Sequence, residues 1–98
     1  MNTKNFWQVS VEYRKGSCFF DDLIVEEYQD YDMACYAFSD FEKCVYHAFE
    51  KYYDSAEIFV HTVHCANGVW VTTIKAKNEL MYKSDVCQIK KELKTEQL

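Results

Sequence analysis

The sequence predicts an α+β domain of order β-β-α-β-β-α, in which an antiparallel four-stranded sheet carries one long helix on one face and ends in a short C-terminal helix. Three observations predict it. Apolar and polar residues alternate from Trp7 to Tyr13, the period changes to 3.6 from Asp30 to Tyr53, and two β-branched and aromatic runs meet at Asn67-Gly68, the strongest short-range hairpin signal. Two layers that each supply one apolar face to a shared core are the economical solution for such a string.

The first strand follows from Trp7, Val9, Val11 and Tyr13 alternating with Gln8, Ser10, Glu12 and Arg14. Lys15-Gly16-Ser17 offers a turn. CFFDDLIVEEY then continues as a second strand, with a bulge at Asp21-Asp22 that would bring Phe19 or Phe20 onto one face with Leu23 and Val25. In the helix, Ala34, Phe38, Phe41, Val45, Ala48 and Tyr52 form one stripe flanked by Ala37, Cys44 and Phe49, and Asp30 or Asp32 supplies the N-cap. A two-residue turn at Asn67-Gly68 would pair Cys65 with Trp70, Val63 with Thr72, His61 with Ile74 and Phe59 with Ala76. Phe59, Val63, Cys65, Trp70 and Ile74 would then cover the helix, with Val60, Thr62, His64, Val71, Thr73 and Lys75 on the other face. After a link from Asn78 to Lys83, Ser84 or Asp85 would cap a short helix whose stripe is Val86, Ile89 and Leu93.

Length and composition place all of this in one domain, residues 1–98. A chain of 98 residues, 49% apolar and 17% aromatic, with no Pro and two Gly, has room for a single core that buries roughly 60–65% of its unfolded surface. The N-terminal stretch has no basic leader with an apolar run, and no segment reaches the roughly 18 apolar residues of a membrane span, so the sequence reads as soluble and cytoplasmic. Five cysteines without CxxC or ribbon spacing argue against a disulfide framework or structural zinc, and predict reduced, mostly buried thiols.

The net charge of −5 is unevenly distributed. Phe19 to Glu57 holds eleven acids against Lys43 and Lys51, while Ile58 to Leu98 holds six Lys against four acids. Such a field disfavours bare nucleic acid and favours a basic protein surface, including one built to hold nucleic acid. Tyr28, Tyr31, Tyr36, Tyr46 and Tyr53 cannot all enter a core already supplied by Phe and Trp. Exposed tyrosines among carboxylates suit recognition of an Arg/Lys-rich partner. The candidate partner-binding residues are Asp21, Asp22, Glu26, Glu27, Asp30, Asp32, Tyr36, Asp40, Glu42, Tyr46, Glu50, Tyr53 and Asp54.

Three constellations with possible chemistry are weaker. His61, His64 and Cys65 are zinc-type ligands, but strand alternation sends His61 and His64 to opposite faces. Cys44 and His47 lie one helical turn apart, yet no orienting carboxylate or oxyanion loop accompanies them. Asp21-Asp22 and Glu26-Glu27 are adjacent carboxylates, which a strand points apart. The sequence therefore predicts no catalytic residues, metal or cofactor. The alternative to an inhibitor is a structural or oligomerising adaptor, such as a homodimer, using the Val60, Val71 and Thr73 sheet face or the C-terminal helix.

With one short β/α domain, an acid-and-tyrosine helix region from Asp30 to Asp54, the Asn67-Gly68 hairpin and no catalytic apparatus, the chain resembles the small acidic proteins that bacteriophages encode to block host defence, anti-CRISPR proteins especially. That resemblance implies a DNA-mimicking, non-enzymatic inhibitor acting by stoichiometric binding in the host cell cytoplasm. Such an inhibitor would cover the basic nucleic-acid channel of a complex such as a CRISPR effector.

Overall fold

The computed structural model describes residues 2–15, 20–53, 57–77 and 85–97. Their order is β1 (Thr3–Arg14), β2 (Asp21–Tyr28), α1 (Tyr31–Tyr52), β3 (Glu57–His64), β4 (Trp70–Lys77) and β5 (Asp85–Gln97). The α+β class stands, but among the described residues there are five strands and one helix where four strands and two helices were expected. All neighbours are antiparallel in the sheet order β2-β1-β5-β4-β3. The Gly16-Ser17 turn, Phe19, Asp54, the Asn78 to Lys83 link and Ser84 lie outside the described residues. No helix among the described residues is long and apolar enough to cross a membrane.

The segment expected to be the C-terminal helix is the strand that joins the two hairpins. Val86, Ile89 and Leu93 fit a helical stripe, but Cys87, Ile89 and Lys91 fit an alternating strand equally well. What decides between them is the backbone. β5 pairs along its length with β1 and over Asp85 to Lys91 with β4, satisfying peptide groups that would otherwise leave two interior edges open. Asp85, expected as a cap, is buried in this strand.

The pairing arranges the helix-facing side chains in rows. Glu26, Val9, Lys91, Trp70 and His64 form one, and Ile24, Val11, Ile89, Thr72 and Thr62 the next. Val9, Val11, Ile74, Cys87 and Ile89 meet Ala34, Phe38 and Phe49 of α1 in the core. The helix starts on Asp30, whose side chain accepts from the Asp32 N–H at 2.9 Å, and stops where the Tyr53 N–H donates to the Phe49 carbonyl. Its inward stripe runs 34, 38, 41, 45, 49. The stripe drifts to Phe49 and the Tyr53 cap, so Ala48, Tyr52 and Cys44, expected on or beside the core, are exposed.

The place of the β2 bulge and the β3–β4 register each differ from expectation by one residue. At the β2 bulge, Val11 pairs with Ile24 and Glu12 with Asp22, so Leu23 is the extra residue; Ile24, Glu26 and Tyr28 face the helix side, and Leu23 and Val25 are exposed. At Asn67-Gly68 the loop has three residues. The Gly68 N–H donates to the Cys65 carbonyl, the Cys65 N–H donates to the Val69 carbonyl, and Gly68 takes φ 86°. The partners are His64–Trp70, Thr62–Thr72, Val60–Ile74 and Ile58–Ala76. That single step turns every β3 side chain over: Ile58, Val60, Thr62 and His64 face the helix side, and Phe59, His61 and Val63 face away. Because nothing lies within 4 Å of a Cβ built on Gly68, Gly68→Ala is expected to cost only the left-handed backbone penalty, about 1–2 kcal/mol, read as a lower urea midpoint with unchanged slope.

Candidate functional site

The acidic surface is built by β2 and the start of α1. From Asp21 to Asp40 the chain holds seven carboxylates and no Lys or Arg, and β2 lies at one edge of the sheet with Asp21 to Glu27 exposed. Asp21 and Glu26 project on the helix side, and Asp22 and Glu27 on the other. Asp30, Asp32 and Asp40 continue the acid run along α1, with Tyr36 69% exposed beside them. The Tyr28 hydroxyl donates to Glu26. That bond, with burial and the charges of Glu26 and Asp40, raises the phenol to about 12.

The other candidate residues separate from this ridge. Glu42 is half-buried and accepts from Thr72 Oγ1 at 2.8 Å, with Thr62 and Thr72 hydroxyls 2.9 Å apart, so it serves as a tie between α1 and the β3–β4 hairpin. Tyr46 and Glu50 follow it along that flank and are exposed; Glu50 meets His47 at 3.3 Å. Tyr53, expected at the surface, is turned inward. Its hydroxyl and that of Tyr13 both donate to the buried Asp85 carboxylate, and burial, then its own bond to Asp85, pushes the Tyr53 phenol up.

Sequence reasoning missed an apolar row at the mouth of the acidic ridge. Tyr28, Trp7 and Leu93 are neighbours in register just beyond the first helical turn, and Tyr31 tilts onto Trp7 with ring centroids 4.8 Å apart. Leu93 is 55% and Tyr31 46% exposed. Glu26 accepts from Tyr28, and Asp30 and Asp32 flank Tyr31 in the chain, which sets carboxylates beside the exposed aromatic groups, the composition of a protein-binding surface. The period-2 pattern on Trp7 could have signalled it, but the helical reading of Leu93 hid its neighbour.

Below this row lies Lys91, 6% exposed on the helix side of β5. Its ammonium sits over the rings of Tyr31 (4.8 Å), Phe38 (5.4 Å) and Trp70 (5.6 Å) and 3.1 Å from Cys35 Sγ. No described carboxylate reaches ion-pair distance. The cage desolvates the lysine stem while π faces stabilise its charge. His64 stacks on Trp70 at 4.1 Å on the helix side, and His61 faces away. Among the described residues no group of three or more His, Cys, Asp or Glu is arranged to hold a metal.

The thiols among the described residues are less buried than expected: Cys87 is buried, Cys35 and Cys65 are half-buried and Cys44 is exposed, while Cys18 lies outside the described residues. Burial, then the Glu12 charge, push the Cys87 thiol up to about 11. Of these four, a maleimide at pH 7 is therefore expected to label Cys44 first and Cys87 only on unfolding, which peptide mass mapping over time would read. Since the folded value is raised, Cys87 favours the fold below its ordinary value. That contribution is lost as pH rises towards about 11.

No protein-family model, curated protein or solved structure matches this chain.

Proposed function

We propose that this protein is a non-enzymatic binding protein that inhibits a larger nucleic-acid-handling complex by docking its acidic ridge on that complex's basic nucleic-acid site. The observation that carries this reading is the lysine- and arginine-free run from Asp21 to Asp40, spread along one sheet edge and over the helix start beside the apolar row of Trp7, Tyr28, Tyr31 and Leu93. Seven carboxylates steer association to a basic surface and penalise other partners, while half-exposed aromatic groups supply the desolvated centre that charge alone does not. The protein acts as a proteinaceous stand-in for nucleic acid, as in the anti-CRISPR inhibitors that the sequence resembles.

The test combines Asp22→Lys, Glu27→Lys and Asp40→Lys, exposed positions that cap no helix and make no hydrogen bond to another element among the described residues. Wild type used as bait is expected to retain a basic complex after nuclease treatment, to release it at raised salt, and to displace labelled nucleic acid from it. The triple variant is expected to keep its circular dichroism spectrum and lose both capture and displacement, a drop of at least about 100-fold in affinity. Undiminished displacement by the folded variant would refute the ridge as the docking surface.

A further inference from the structure

The opposite edge of the sheet has a different character. β3 is paired with β4 alone among the described residues and lies largely beyond the cover of α1, which packs on β5, β1, β2 and β4. Phe59, Val60 and Val63 are 49%, 50% and 41% exposed, on both faces of the same strand. Because the Cys65 N–H donates to Val69 across the turn, ladder alternation directs the peptide groups of Phe59, His61 and Val63 to β4. It leaves those of Ile58, Val60, Thr62 and His64 pointing outward.

We propose that this edge is a homodimer interface, at which a second copy adds its own β3 antiparallel about a two-fold axis at His61 and joins the two sheets into one. The charge pattern selects a second copy. From Glu57 to His64 the strand carries one carboxylate and no Lys or Arg, whereas β2 carries four acids in eight residues. Two β2 edges repel, and natural edges are guarded in this way; two β3 edges do not. The two-fold preserves the faces of the sheet. Phe59 lies against Val63 of the second copy, Val60 against Thr62 and Ile58 against His64, and the two Glu57 carboxylates stand at opposite ends. Phe59 and Val63 then form a cross-strand apolar pair on each side of the axis, extended by Val71 of β4. The pairing is isologous and closes at two copies, so it does not propagate into a filament.

The test is sedimentation equilibrium of the full chain in reducing buffer over about a hundredfold concentration range. The expected mass rises from 11.7 kDa towards twice that value. Val60→Pro removes a donor from the free edge and none from the β3–β4 ladder, so it is expected to remain monomeric with an unchanged spectrum; should it fail to fold, Val60→Lys takes its place with the same expectation. His61→Cys brings two thiols to a pair with Cα atoms about 4.5 Å apart, and a disulfide between copies at position 61 is expected under mild oxidation. Wild type that stays monomeric throughout, a folded Val60 variant that dimerises undiminished, or a His61→Cys dimer that does not cross-link at 61 would overturn the proposal. The Asp22, Glu27 and Asp40 variant alters β2 and α1 but no residue of β3, and is expected to dimerise as wild type, so failure of one surface is distinguishable from failure of the other.

Discussion

Ile89→Ala is expected to lower the unfolding free energy by about 2–5 kcal/mol, whereas Leu93→Ala should cost less than about 1 kcal/mol. Four residues apart, the two side chains would be equivalent on the stripe of a C-terminal helix. On β5 they are not: Ile89 is fully buried between Val11 and Thr72, while Leu93 lies beyond the helix start and is 55% exposed. Removing Ile89 opens a cavity in the middle of the core, and in a domain of this size the melting temperature should fall by roughly 10 °C or more. Urea unfolding of both variants measures the contrast. Equal losses would contradict the central strand and restore the helical reading.

Lys91 yields the second large effect. Lys91→Glu is expected to cost about 3–5 kcal/mol, because an anion would then be buried without a partner against the π faces of Tyr31, Phe38 and Trp70. Lys91→Met should fall within about 1 kcal/mol of wild type or stabilise, since the thioether chain fills the same space and packs on the same rings. Chemical denaturation of the pair at neutral pH reads both. A methionine variant as damaged as the glutamate variant would mean that the ammonium itself, through the rings and Cys35, holds the cage together.

These outcomes bear on how much of the protein can be read from its residues. Strand β1, the presence of a bulge in β2 though not its place, and the helix with an aspartate cap are written in local patterns, because a one-sided apolar period and a side-chain acceptor ahead of free N–H groups act within a few residues. The acidic ridge was equally legible, since a run of carboxylates without lysine stays acidic in any fold. Glu42 and Tyr53 were not legible as turned inward and half-buried. Their partners, Thr72 and Asp85, are 30 and 32 residues away in sequence and become neighbours only when the sheet closes under the helix.

Local pattern alone thus establishes the α+β class, the long helix, the hairpin and the sign of the exposed face. The nature of residues 85–97 and the face that each β3 residue presents belong to the assembled sheet. A segment compatible with both helix and strand takes the form that satisfies two open edges at once, and a turn one residue longer than expected reverses an entire strand. Both choices are made by hydrogen bonds between residues distant in sequence, and period and composition do not encode them.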